Sequence, residues 1–342
     1  MVIRYDNPVL SQDELRILIS SAGLAPSMHN TQPWRFEVTG RVVDVLLDED
    51  RTLPAEDRSG RMTRIGLGAA AFNLRVTAAM LGFETTLAVD PDPDRPDVAV
   101  RIFLGSRRPT ATSPIGSLYG ELRRRHTYRG PLMAAVVSPL VLEQLNAAAR
   151  AEGAELRWLD QYAETQLKRI LHAADYLDLH DEDRLTERGR WIGGDRTRDG
   201  VPQAALGPLP ARSAIVRDLA AGFDHHARSS AVFETNPRIA VLTTAADDPV
   251  AWTRAGMALQ HLLLIATSYD LTVSFLNQAV EYAQLRSHVQ ELVGRSPRPQ
   301  LILRAGYPAQ TAAETPRLPW QQTLDSLVDD WHPGIVQACS DA

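Results

Sequence analysis

Three short segments carry residue types and spacings that could hold a polar ligand. The first, Ala25-Pro-Ser-Met-His-Asn-Thr-Gln-Pro-Trp-Arg-Phe36, sets Ser27, Asn30 and Gln32 among turn formers. Their hydroxyl and amide groups supply donors and acceptors suited to the rim of a planar heterocycle. Pro26, Asn30 and Pro33 also read simply as residues that shape a turn. The second segment, Arg123-Arg-Arg-His-Thr-Tyr-Arg129, places Arg125, Thr127 and Arg129 on one side if the chain is extended. Two guanidinium groups and a hydroxyl converging there suit a phosphate, which arginine grips with a two-pronged fork. A solvated basic cluster or a weak nucleic-acid patch are the other readings of the same run. The third is Gly306-Tyr-Pro, followed by Pro316-Arg317-Leu-Pro319, in which Arg317 is either a ligand or an ordinary surface arginine.

Other clusters carry less. His172, Asp175, Asp178 and His180 to Asp183 contain metal-binding side chains, with His172 and Asp175 three residues apart on a helix. A solvated acidic helix face explains them with fewer assumptions, and no metal is expected. His225-His226 reads as a surface or loop pair. No Ser/His/Asp nucleophile motif, phosphate-binding P-loop or Gly-rich dinucleotide fingerprint is visible.

The elements that must position these residues follow from capping and periodicity. Ser11 with Glu14 forms a capping box ahead of Leu15, Leu18 and Ile19, and Gly23 fits a left-handed stop. Two strands, about 34–38 and 42–47, form a hairpin through Thr39-Gly40. Ile65, Ala69, Phe72, Val76 and Met80 predict a helix over about 63–81, followed by β-like runs at 83–89 and 98–104. The polar, Pro- and Gly-containing stretch 105–117 is the candidate boundary between halves. Ser138-Pro139 opens a further helix and Asp248-Pro249 a long one, flanked by strands near 155–159, 239–243, 271 onward and 301–304. The order of elements repeats, which predicts an α+β unit duplicated in tandem, with residues 1–115 as one half and 116–342 as the other. Residues 184–229 have no counterpart in the first half, and their loop-forming composition reads equally as a lid or a plain surface insertion.

Composition narrows the classes of function. The 342 residues are 44% hydrophobic and 23% charged, with 36 basic against 42 acidic side chains and a net charge of −6. That excludes a disordered or collagen-like chain and argues against a general nucleic-acid binder, which presents a strongly basic face. The longest apolar stretch, Met257 to Thr267, falls short of the ~20 apolar residues of a membrane span. Met1-Val-Ile-Arg-Tyr-Asp lacks the pattern of a secretory leader, and the single cysteine, Cys339, allows no internal disulfide. A cytoplasmic protein without a membrane partner is the expectation.

The three segments together go further than composition. "APSxxNxQPWxF" between a capped helix and a strand resembles the signature of the nitroreductase family of FMN-dependent oxidoreductases. Arg125-His-Thr-x-Arg129 is similar to that family's "R-[RH]-[ST]-x-[RK]" motif, and Gly306-Tyr-Pro with Arg317 to its C-terminal end. The resemblance covers nearly the whole chain and is nearest to the fused, Acg branch. It implies a nitroreductase-like fold folded as an internal pseudo-dimer, a monomer or weak homodimer in solution. It implies FMN as cofactor, and NAD(P)H with a nitroaromatic or quinone-type acceptor as partners. By motif position, Arg125, His126 and Thr127 fall to the phosphate side, Arg129 to the pyrimidine edge of the ring, and Arg317 near the phosphate. Pro26, Ser27, Met28, Asn30 and Gln32 fall to the opposite wall. Where the family places a Gly-containing stretch at the reactive edge of the flavin, this chain has Phe275-Leu276-Asn277-Gln278, which puts side chains there. That departure, with the insertion, supports an alternative in which the protein sequesters flavin and turns over little or not at all.

Overall fold

The computed structural model describes residues 10–107, 113–210, 215–222, 228–235 and 237–328. The His225-His226 pair and Cys339 lie outside the described residues. Helix α1 (Gln12–Ala22) begins as its capping box requires, with Ser11 Oγ accepting from the Glu14 amide and the Glu14 carboxylate accepting from Ser11 N at 2.8 Å. Its end differs from expectation. Gly23 has φ −62°, so no left-handed cap forms, and tight turns from Leu24 N to Ser21 O and Ala25 N to Ala22 O close the helix instead. Strands β1 (Trp34–Thr39) and β2 (Val42–Leu47) pair as the expected antiparallel hairpin. Trp34, Phe36 and Val38 are buried while Arg35, Glu37 and Thr39 are only partly so, the period-two pattern of a sheet with one covered face.

Helix α2 (Arg61–Met80) follows, then strands β3 (Phe83–Val89) and β4 (Val98–Arg107). The chain continues through α3 (Glu121–Arg124), α4 (Pro139–Ala151), β5 (Glu155–Trp158), α5 (Gln161–Leu179) and α6 (Glu182–Gly189). Short strands β6 (Leu209–Pro210) and β7 (Ser230–Ala231) lead to β8 (Arg238–Thr244) and α7 (Pro249–Ser268). The last elements are β9 (Thr272–Phe275), α8 (Gln278–Glu281), α9 (Ala283–Val293), β10 (Arg298–Gly306), α10 (Trp320–Thr323) and β11 (Leu324–Val328). Ser138 and Asp248 cap α4 and α7 with proline in the first turn, as their sequences predict.

The fold is α+β. One sheet has the order β11-β1-β2-β4-β3 and a second the order β5-β8-β10-β9. Strand β11, at the far end of the sequence, joins the first sheet by pairing parallel with β1. The second sheet is covered on both faces, by α4 and α7 on one side and α5 and α9 on the other. Its strand β10 is accordingly buried from Pro299 to Gly306 without alternation.

The two long helices α2 and α7 pack face to face between the sheets. Both are buried almost all round, as a helix apolar on every side must be. Their contact depends on glycine. A Cβ on Gly68 would lie 1.9 Å from the Thr253 carbonyl oxygen, and one on Gly256 would lie 2.0 Å from the Ile65 carbonyl oxygen. A buried amide pair locks the register, with Gln260 Nε2 donating to Asn73 Oδ1 at 2.6 Å and Asn73 Nδ2 donating to Ser21 O. Among the described residues no helix is long and apolar enough to cross a membrane.

Because the atoms facing Gly68 and Gly256 belong to backbone, neither can turn aside. Gly256→Ala is expected to destabilise the fold by about 1–3 kcal/mol or more through overpacking. Gly120→Ala, at a position with open space and a right-handed φ of −60°, serves as the neutral control. Urea unfolding curves of the two variants check this. Equal midpoints would show that the helices do not need the close approach.

Candidate functional site

The turn between α1 and β1 is built from unusual backbone. His29, Asn30 and Gln32 have φ of 50°, 57° and 54°, left-handed values that non-glycine residues rarely adopt. Ser27 helps hold it, its Oγ accepting from Gln32 N at 2.9 Å. The turn rests on α2, where a Cβ on Gly66 would lie 3.5 Å from Ser27 Cβ. Pro26, Ser27, Met28 and His29 form one wall of an internal cavity of about 130 Å³. Thr127, Tyr128 and Arg129 form another wall, and Phe275, Asn277 and Gln278, with Ser274, a third. The first motif, the basic motif and the end of β9 therefore meet at one place, while Gly306-Tyr-Pro and Arg317 lie outside the cavity lining.

The basic motif leaves α3 in extended conformation at Arg125, and Thr127 bridges to Val273 of β9. The period-two reading holds only in part. Thr127 and Arg129 face the inner cavity, whereas Arg125 lines a larger one of about 640 Å³ on the other side, with Arg124, His126 and Tyr128. Arg125 turns that way because its guanidinium is drawn to the carbonyl at the end of α1, donating to Leu24 O at 3.1 Å. Arg317 donates to the same carbonyl at 3.4 Å and to Asn30 Oδ1 at 2.8 Å. Arg129 donates to Ala205 O at 3.1 Å. The loop after the motif is pinned from below by Arg304 of β10, which donates to Gly130 O and pairs with Glu234.

Among the described residues, Arg125, Arg129 and Arg317 form no ion pair with a carboxylate, and the Nε atoms of Arg125 and Arg317 are buried without a partner. Burial pulls Arg125 down to about 9, with the charges of Arg317 and Arg129 adding to the effect. Burial likewise pulls Arg129 and Arg317 to about 10. The imidazole of His126 is lowered by burial and then by Arg125. Arginine stays charged at physiological pH, so these depressions register three buried cations without a paired carboxylate, Glu314 opposing the effect only in part at Arg317.

Asn30 and Gln32 do not offer their amides to the cavity. Asn30 Nδ2 donates to Gly200 O and Pro316 O, both at 2.9 Å, and its Oδ1 receives Arg317. Gln32 Nε2 donates to Arg198 O at 3.0 Å and its Oε1 accepts from Leu318 N at 2.9 Å. These amides tie the first motif to the insertion and to the C-terminal segment. Leu276 is buried among the side chains beneath the second sheet, away from the cavity wall. Asn277 lines the cavity while its Oδ1 accepts from Ile302 N, and Gln278 lines it with Oε1 buried and unpartnered.

The insertion is clamped over this site. Besides the bonds from Asn30, Gln32 and Arg129, Gly207 packs so closely on Arg129 that a Cβ would lie 2.6 Å from its carbonyl oxygen. Beneath the insertion lies a group of charges that the sequence does not reveal. Arg184 pairs with Asp178 at 3.0 Å and Glu281 at 2.6 Å, and Arg188 with Glu56 at 2.7 Å. Arg217 pairs with Glu281 at 3.0 Å and with Asp178. Glu56, Asp178 and Glu281 lie close enough together to hold a metal ion, yet the three arginines already neutralise them. Asp178, read from sequence as part of a solvated face, is thus buried in ion pairs, and burial pushes neighbouring Asp175 up to about 6. Glu56 also bonds His29. His29, Tyr128, Arg217 and Glu281 are cavity residues that motif reading passed over. His29 and Tyr128 carried a signal, as titratable residues inside the first and the basic motif.

No family model matches the chain. It is 26% identical to "Putative NAD(P)H nitroreductase acg" of Mycobacterium tuberculosis over 313 residues, 91% of this chain and 94% of that protein. A second M. tuberculosis protein, also named as an NAD(P)H nitroreductase, is 29% identical over 329 residues, 95% of this chain and 93% of its own. A crystal structure of a nitroreductase with bound FMN from Bacteroides fragilis is similar at a TM-score of 0.36 and 14% identity, over 58% of this chain and 92% of that one.

The buried charges make the fold sensitive to acid. Burial alone would raise the Glu56 carboxyl, but His29, Arg217 and Arg188 outweigh it and hold the group well below the usual carboxylate range. A depressed folded-state value contributes stability above the unfolded value near 4.5 that is lost as pH falls below it. Glu56→Gln is expected to cost about 1–3 kcal/mol at pH 7, by removing the carboxylate that Arg188 and His29 face while Arg188 keeps Asp178 at 3.1 Å, and less at pH 3.5. Urea titrations at the two pH values measure this, and a cost independent of pH would refute the role given to the ionised carboxylate.

Proposed function

The chain belongs to the nitroreductase family, with Acg-like relatives, and from that premise we propose that it binds FMN and passes electrons from NAD(P)H to a nitroaromatic or quinone-type acceptor. The observation that carries this reading is the convergence of Arg125, Arg129 and Arg317 without a carboxylate. The donor set fits the cofactor: orphaned guanidinium nitrogens suit a phosphate, and Arg129 with Gln278 Oε1 suits the polar rim of a ring that both donates and accepts. When bound, FMN would supply two-electron exchange by hydride transfer. Arg125 and Arg317 would hold the phosphate with His126 and Thr127 beside them. Arg129 would stabilise negative charge at the ring edge and so raise the reduction potential. Pro26, Ser27 and Met28 would form the facing wall, and Phe275 to Gln278 would shape access for the acceptor.

On this reading residues 1–115 and 116–342 are the halves of a fused pseudo-dimer, each built on one sheet and its long helix, with β11 of the second half added to the first sheet. The α2–α7 contact takes the place of a subunit interface and one flavin site survives. Such a chain needs no partner copy and would work in the cytoplasm as a monomer or weak homodimer. The clamped insertion supports the second reading, a flavin-sequestering protein. The cavity of about 130 Å³ is below the roughly 300–1,000 Å³ of ordinary ligand sites, and Val216, Arg217 and Leu219 of the insertion are part of its lining.

Reconstitution with FMN followed by anaerobic NADPH and then NADH separates the two. Bleaching of the flavin's visible absorbance is expected for the oxidoreductase, and bound flavin that stays oxidised would favour sequestration. The unpaired cations give a second prediction with a distinctive sign. Arg125→Ala should weaken FMN binding by about 10- to 100-fold, the worth of a charge-assisted hydrogen bond. The same change should leave the thermal midpoint of the FMN-free chain equal or higher, because it removes repulsion. A variant that binds FMN normally and melts lower would contradict the assignment.

A further inference from the structure

The geometry points to His29 as the proton donor to the acceptor, with Glu56 as its positioning residue; the inference rests on the function proposed above. Two-electron reduction of a quinone-type acceptor needs a hydride and a proton. FMN, when bound and reduced, would supply the hydride, two electrons and one proton, to one end of the acceptor. The proton for the remaining oxygen must come from a protic group in the cavity wall. Most of the protic groups there are committed. Tyr128 donates its hydroxyl to Pro131 O and Arg217 is paired with Glu281, while the aliphatic hydroxyls of Ser27, Thr127 and Ser274 are far too weakly acidic to give up a proton near neutral pH. Arg129 holds its proton too tightly to give it up near neutral pH. Among the described lining residues His29 is the one imidazole, the side chain type suited to proton exchange near neutral pH.

Its setting fits the task. The Nε2 atom of His29 is bonded to the Glu56 carboxylate, itself pinned by Arg188, which leaves Nδ1 as the nitrogen for exchange. A buried carboxylate behind the ring steadies the imidazolium and fixes its orientation. The ring is held there by a left-handed backbone, φ 50°, and strained backbone of this kind gathers at functional sites. In the transfer, the imidazolium N–H bond breaks, its electron pair stays on nitrogen, the acceptor oxygen gains the proton, and water later reprotonates the ring. The charged groups facing His29 are Glu56 before α2, Arg188 of α6, Arg217 of the insertion, Glu281 of α8 and Arg129 of the basic motif.

The test follows reoxidation of the NAD(P)H-reduced holoprotein by a benzoquinone and, separately, by ferricyanide, which takes electrons without a proton. In His29→Gln the ratio of quinone to ferricyanide rates should fall by about 10²- to 10⁴-fold, the usual worth of a general acid. Taking the ratio to ferricyanide cancels any change the variant makes in FMN affinity or flavin reduction. An unchanged ratio would overturn the inference while leaving the flavin reading intact. A wild-type chain that takes up no FMN would overturn both. A readout independent of turnover and of any variant comes from ¹⁵N-histidine NMR of the FMN-free wild-type chain. One imidazole should titrate in the pH range over which the wild-type rate ratio falls with rising pH. A ratio flat from pH 5 to 9 would reject His29 as donor even if the variant does not fold.

Discussion

The close approach of α2 and α7 is the constraint from which the rest of the arrangement follows. Carbonyl oxygens of each helix sit where a Cβ of the other would be, at Gly68 and Gly256, so the two sheets are brought as near as helical backbones allow. Only at that separation can the turn after α1, carried by the first sheet's layer, share a cavity with the basic motif and the end of β9. The buried Asn73–Gln260 pair adds specificity that an apolar contact would lack, because sliding either helix by one turn would strand both amides.

Charge is distributed unequally around that cavity. Beneath the insertion, Glu56, Asp178 and Glu281 meet Arg184, Arg188 and Arg217, so buried ions of both signs are matched. Elsewhere around the site, Arg125, Arg129 and Arg317 have carbonyl, amide and hydroxyl oxygens as partners and no paired carboxylate among the described residues. A fold that balances one buried set and leaves the other uncompensated is storing electrostatic cost at the second, and a bound anion would relieve it. The same insertion that completes the balanced set also closes over the unbalanced one.

Much of this was legible in the sequence, and the limits have physical causes. The capping box of Ser11 and Glu14, the hairpin at Thr39-Gly40 and the two long helices rest on local spacing, and they form as read. The pairing of β11 with β1 joins residues nearly three hundred positions apart in the chain, and no local pattern announces it. The amides of Asn30 and Gln32 match the motif in type but bond to backbone carbonyls of residues 198, 200 and 316, whose positions only the folded chain defines. Asp178 looks like a surface charge in sequence because its burial depends on Arg184 and Arg188 of α6 and Arg217 of the insertion. Leu276 falls inside a motif-equivalent stretch yet turns into the core, since alternate residues at the end of β9 face opposite sides.

The central claim is that the uncompensated arginines hold the phosphate of a flavin. Calorimetric titration of the wild-type chain with FMN and with riboflavin, identical but for that phosphate, tests it most directly. The account predicts that FMN binds at least about a hundredfold more tightly, and that the difference shrinks as inorganic phosphate is added. Equal affinities for the two would contradict it.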